Sequence, residues 1–165
     1  YKKHAIPGKI FAPQYDFGSN GYAYLDKDFV NYKVETGKFE EWNKGNSMRN
    51  DGVDILPCKD TDSNGYQVSF IEDGEWLLFT TEVSKQKVFK VAIRYSSKNS
   101  EGKLHLETEN GIKSKSIVLP ATGSDDNWKT IILSDVNINS GTNKIKVVFE
   151  KGGFNLNYLE FNTQK

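Results

Sequence analysis

Side chains able to move a proton or attack a bond are sparse in this chain: its histidines are His4 and His105, and its single cysteine is Cys58. A nucleophile needs a base within hydrogen-bond reach, and a catalytic zinc needs several nitrogen, oxygen or sulfur ligands in a fixed array. Neither pattern occurs, nor does a Gly-x-Ser-x-Gly, His-Glu-x-x-His, Cys-x-x-Cys or phosphate-cradling glycine loop. His105 sits in Lys103-Leu104-His105-Leu106-Glu107, where alternation points it outward among charges. The densest acids are Glu72, Asp73 and Glu75. A glycosidase holds two carboxyls about 5–10 Å apart across the scissile bond, whereas three acids around an Asp-Gly step read as a solvated turn. A small glycosidase or lyase remains a rival reading.

What the chain offers instead is flat apolar surface. Aromatic residues make up 13% of it, with 10 Phe, 8 Tyr and 3 Trp. Trp128 follows the polar run Ser124-Asp125-Asp126-Asn127, a place that core packing explains poorly. Phe70 alternates with Val68, so it either shares a core-facing row or is turned out to a ligand. Asn155, between Phe154 and Leu156, faces away from both, as a turn cap or a ligand contact. Trp76 alternates with Leu78 after the Asp-Gly step and reads as core.

The elements that must carry these residues are strands. Phe89-Lys90-Val91-Ala92-Ile93-Arg94-Tyr95 and Lys144-Ile145-Lys146-Val147-Val148-Phe149-Glu150 alternate with the period of a half-buried strand. Residues 103–107, 68–79 (strand, Asp-Gly turn, strand), 116–119, 130–133 and 154–161 supply further strands, and Gly, Asn and Ser clusters between them supply turns. Their spacing predicts an all-β sandwich or barrel. Residues 26–62 are the least periodic part; the window 34–46 lacks a helical stripe, and the whole stretch is read as a long irregular loop. At 165 residues the chain suits one domain, read as a linker remnant over residues 1–5 and a module over residues 6–162. Lys plus Arg total 22 and Asp plus Glu total 22, so no net field draws the chain to nucleic acid or anionic lipid. No apolar run is long enough for membrane insertion, and a lone cysteine excludes an internal disulfide.

Three pieces together resemble the family-6 carbohydrate-binding modules. They are residues 66–79, the glycine-containing loop that ends in Trp128, and Gly152-Gly153-Phe154-Asn155-Leu156-Asn157-Tyr158-Leu159-Glu160-Phe161. The resemblance runs from Ile6-Pro7-Gly8-Lys9-Ile10 to Phe161. It implies a β-sandwich of jelly-roll type with two antiparallel sheets, and a noncatalytic role. Two rings flank a sugar and an Asn binds its hydroxyls in that family, roles that motif matching gives to Phe70, Trp128 and Asn155. Gly21-Tyr22-Ala23-Tyr24-Leu25-Asp26 and Arg49-Asn50-Asp51-Gly52-Val53-Asp54-Ile55 are similar to modules attached to enzymes of marine polysaccharide breakdown. The long loop offers Tyr24, Asp26, Trp42, Arg49 and Asp54 as secondary candidates. The implied ligand is a β-1,3-glucan such as laminarin, with agar-type galactan or xylan as alternatives and a protein-adhesion sandwich as the rival of another kind. The implied setting is a monomeric, secreted or cell-surface module covalently linked to a catalytic domain, and some family members also bind on the concave sheet face. Such modules usually carry Glu-Ala-Glu near the start, whose carboxylates help hold a structural calcium. This chain has Phe11-Ala12-Pro13-Gln14, so no cofactor is expected to be required and the calcium site should be weakened or lost unless Asp16 or loop carbonyls compensate.

Overall fold

The computed structural model describes residues 3–29, 37, 43–45, 47–85 and 87–163. Their strands are β1 (His4–Ile6), β2 (Gly8–Phe11), β3 (Tyr24–Leu25), β4 (Ile55–Pro57), β5 (Tyr66–Val68) and β6 (Trp76–Val83), followed by β7 (Lys87–Ser97), β8 (Gly102–Thr108), β9 (Ile117–Leu119), β10 (Ser124–Ile138), β11 (Gly141–Lys151) and β12 (Asn155–Thr163). One 3-10 turn spans Ala12–Gln14. The first sheet runs β1-β6-β11-β8-β9 with β3 also on β6; the second runs β10-β7-β12-β5-β4 with β2 also on β12. The expected sandwich is therefore present. Among the described residues the strands pair antiparallel except β1 with β6, which is parallel, and an isolated bridge between Asn20 and Tyr24 is parallel as well.

Alternation decides what each strand buries. Phe89, Val91, Ile93 and Tyr95 of β7 and Ile145, Val147 and Phe149 of β11 all face the shared core. Burying one such side chain contributes about 1.5–3 kcal/mol, and edge-to-face pairs such as Phe89 with Phe161, centroids 6.4 Å apart, fix how the rings interlock. β12 breaks step at Asn157, where its register against β7 shifts between Leu156 and Tyr158. That bulge lets Leu156 and Leu159, three positions apart, both face inward.

Three sequence expectations are corrected. Residues 66–79 do not form a hairpin: β5 lies in the second sheet and β6 in the first, so the chain crosses between sheets through residues 69–75. Trp76 is not core, because Leu77 and Phe79 take the inward positions and leave Trp76 half-buried on the outer face. Residues 26–62 are not loop throughout, since β4 pairs Ile55 with Val68 and Pro57 with Tyr66. Among the described residues no helix is long and apolar enough to cross a membrane.

Candidate functional site

The crossing between sheets turns one ring outward. Val68 is buried at the end of β5, but Phe70 adopts φ 52°, in the left-handed region. A bulky residue there is strained, a cost found where a site needs a side chain held out of step. The reversal leaves Phe70 53% exposed. It lines a cleft of about 260 Å³ together with Leu56, Gln67, Ser69, Asp125 and Asn155. The Lys44 ammonium stands 5.0 Å from the Phe70 ring centroid. Its loop is held by Asp54, whose carboxylate accepts the Lys44 backbone N–H, while the Asp54 carbonyl accepts Ser69 N–H at 2.9 Å.

Two adjacent serines of β7 assemble the opposite parts of the cleft. Ser96 donates its hydroxyl to the Asp125 carbonyl at 2.6 Å and accepts from Asn155 Nδ2 at 3.2 Å. Ser97 Oγ reaches the Ser100 and Gly153 carbonyls at 2.6 and 2.9 Å. Gly152 has no room for a side chain, because a Cβ would lie 2.1 Å from the Ile71 carbonyl oxygen. The start of β12 and the crossing segment thus approach backbone to backbone.

Phe70 and Asn155 come together as the sequence suggested, and Trp128 is not among the residues that line the cleft. It lies half-buried in β10, with a buried Nε1 that has no hydrogen-bond partner. The ladder of β10 against β7 is irregular between Ser124 and Lys129, and this brings Asp125, three residues earlier, into the cleft. Asp125, Gln67, Ser69 and Lys44 were not singled out from the sequence. The one available signal was the polar run 124–127, which drew notice only for the indole behind it.

The secondary candidates Tyr24, Arg49 and Asp26 make contacts within the scaffold. Tyr24 is buried in β3, edge-on to Tyr15 at 5.6 Å, and its hydroxyl accepts Gly52 N–H at 3.0 Å. The Arg49 guanidinium is sandwiched between the rings of Tyr15 at 3.5 Å and Phe17 at 4.6 Å. It bonds the carbonyls of Tyr15 and Asp16 and pairs with Asp51 at 2.7 Å, bordering a separate cavity of about 230 Å³. Asp26, only 7% exposed, accepts Asp28 N–H at 2.9 Å. Burial, reinforced by the charges of Glu75 and Asp54, pushes its carboxyl up to about 8. Glu75 is no solvated turn acid: it is buried, accepts the N–H groups of Lys27 at 3.1 Å and Glu72 at 2.9 Å, and is raised by burial. Glu72 and Asp73 are exposed as expected. Trp42 lies outside the described residues.

The positions where calcium-holding carboxylates were sought carry no side-chain oxygen at Phe11 or Pro13. Phe11 packs edge-on against Tyr158, centroids 6.0 Å apart, and Pro13 is buried in the 3-10 turn. Two nearby acids have organic cations instead. Arg94 grips Asp60 at 2.7 and 2.9 Å, and Lys9 holds Asp62 at 2.7 Å; these hydrogen bonds keep both carboxyls below their ordinary range. Among the described residues no group of three or more His, Cys, Asp or Glu is placed to hold a metal.

A second groove, about 440 Å³, lies on the outer face of the first sheet. Trp76 and an 80% exposed Tyr22 border it, with the Lys146 ammonium 4.2 Å from the Trp76 ring. Glu107 and Lys144 line it as well.

Residues 49–161 match the family model described as carbohydrate binding module (family 35). No curated protein is matched. Among solved structures, the chain is similar to the carbohydrate-binding module CBM6cm-2 of Cellvibrio mixtus lichenase 5A in complex with cellotriose. That likeness has 28% identity and a TM-score of 0.62, over 69% of this chain and 88% of that one. It is also similar to the C-terminal family-6 module of a marine laminarinase from Zobellia galactanivorans, at 21% identity and TM-score 0.67 over 94% and 98% of the two chains. A β-1,3-glucan-binding family-6 module from Bacillus halodurans matches at 18% identity and TM-score 0.69, over 98% and 100%. The last two likenesses are of fold.

Proposed function

The chain belongs to carbohydrate-binding module family 35 and shares its fold with family-6 modules, and from that premise we propose that it holds a neutral polysaccharide, most specifically a β-1,3-glucan, for a linked glycoside hydrolase. The module itself is noncatalytic. The observation that carries the reading is Phe70, a strained and exposed ring set beside Asn155 and Asp125 in one cleft. A sugar stacks an apolar face on the ring while the amide and carboxylate take its hydroxyls. The choice of linkage is supported by the resemblance of residues 21–26 and 49–55 and by the β-1,3-glucan-binding neighbour of the same fold. A cellotriose-bound neighbour makes the β-1,4-glucan the natural comparison.

One ring and a few hydroxyl contacts in an open cleft give micromolar to millimolar dissociation constants, about −8 to −4 kcal/mol. That is enough for a tether, because a linked active site then meets substrate at high effective concentration. An extracellular or cell-surface setting follows from such a substrate. The groove at Trp76 and Tyr22 supports a second place for the same polymer.

Isothermal titration with laminarin oligosaccharides, cellotriose, agarose oligomers and xylan tests the reading, with Phe70→Ala and Trp76→Ala alongside. Saturable binding of laminarin oligosaccharides that weakens at least about tenfold in Phe70→Ala is expected. Loss confined to Trp76→Ala would move the site to the outer groove. Cleavage of the glycan would revive the glycosidase rival, and silence with every glycan would favour adhesion to protein.

A further inference from the structure

We propose that Ser96, which is fully buried, decides which end of the Asn155 amide faces the cleft, and so restricts that wall to sugars with hydroxyl groups to donate; this rests on the cleft being the ligand site. A carbonyl oxygen can only accept, so at 2.6 Å from the Asp125 carbonyl the Ser96 hydroxyl commits its single hydrogen there. Its oxygen then has only lone pairs left. The neighbour 3.2 Å away must therefore donate, and in Asn155 that is Nδ2. Turning the amide over would press Oδ1 against an oxygen with no hydrogen to offer, in a place sealed from water.

Asn155 Oδ1 is thus directed away from Ser96, as an acceptor for the cleft that the residue lines. The Asp125 carboxylate, an acceptor alone when ionised, lines the same cleft, and its backbone is anchored by the same hydroxyl. β12 and β10 flank β7 on opposite sides, so one serine sets both. Two fixed acceptors suit the neighbouring hydroxyls of a neutral pyranose. Sulfate and carboxylate groups bring negative charge and no hydrogen, and gain no bond from this wall. Ser96 is a positioning residue with no ligand contact of its own.

The test begins without ligand. Side-chain amide exchange measured by NMR should be at least about fivefold slower for Asn155 than for the exposed Asn110, and Ser96→Ala, with melting followed as a folding control, should erase the difference. Titration with laminarin oligosaccharides should then weaken about fivefold or more in Ser96→Ala. Asn155 exchange as fast as Asn110 in the unaltered protein overturns the proposal, even if the variant fails to fold. A changed amide with affinity held within about twofold overturns its role in recognition. The expected amide behaviour with no binding of any neutral glycan upholds the positioning by Ser96 and removes the carbohydrate reading instead.

Discussion

Asp26 should make the stability of this module fall as the solution turns alkaline, and Asp26→Asn should remove most of that fall. Its carboxyl shares a buried neighbourhood with Glu75 and Asp54 and is pushed from 3.8 to about 8, first by burial and then by those charges. Between those two values the folded chain keeps a proton that the unfolded chain gives up. Its contribution is therefore complete below the unfolded value and is lost as pH rises through about 8. Four decades of acidity at about 1.4 kcal/mol each set the scale, on the order of 5 kcal/mol by the time the folded carboxyl ionises. An amide is neutral throughout, nearly isosteric, and can still accept the Asp28 N–H. Urea unfolding of both proteins at about pH 5 and about pH 9 reads the effect. The wild type should lose several kcal/mol more than Asp26→Asn across that interval, with the variant the more stable of the two at the alkaline end. Parallel losses in the two proteins would refute the buried-carboxyl reasoning. Glu150 provides the opposite limb: hydrogen bonds from Lys103 and Ser116 hold it down to about 2, so its contribution stands above 4.5 and disappears as pH falls toward about 2.

Other outcomes follow from particular contacts. Trp128→Ala should change laminarin affinity by less than about twofold while lowering the melting temperature, since its half-buried ring lies outside the cleft; titration and a thermal melt separate the two effects. Gly152→Ala should cost at least about 2 kcal/mol in urea unfolding, because its methyl group would meet the Ile71 carbonyl and neither backbone can yield. Added calcium or EDTA should move the melting temperature by less than about 1 °C, as Phe11 and Pro13 supply no carboxylate.

The strands were legible because alternation is a direct imprint of a two-faced sheet, and β7, β8 and β11 follow it closely. Pairing was not legible, since it is decided by contacts between distant segments. An Asp-Gly step between two apolar runs looks like a hairpin, yet here it lies in a passage from one sheet to the other. Trp76 was misplaced for a related reason: its row of alternate residues was clear, but which row faces in depends on the sheet it joins. In the cleft, Phe70 was found by its ring and Asn155 by its place in a motif. Asp125 and Lys44 were hidden because they arrive through a ladder irregularity and a loop packed across from far away in sequence.

The position of β12 governs when any of this can exist. The last of the strands sits inside the second sheet, between β7 and the pair β2 and β5. During synthesis β2, β5 and β7 all emerge with an unfilled seam, and the seam closes only when residues 155–163 leave the ribosome. Asn155 is the first residue of that closing strand. The nascent chain therefore lacks a complete cleft: the act that seals the exposed sheet edges against aggregation is the same act that brings Asn155 beside Phe70 and Asp125.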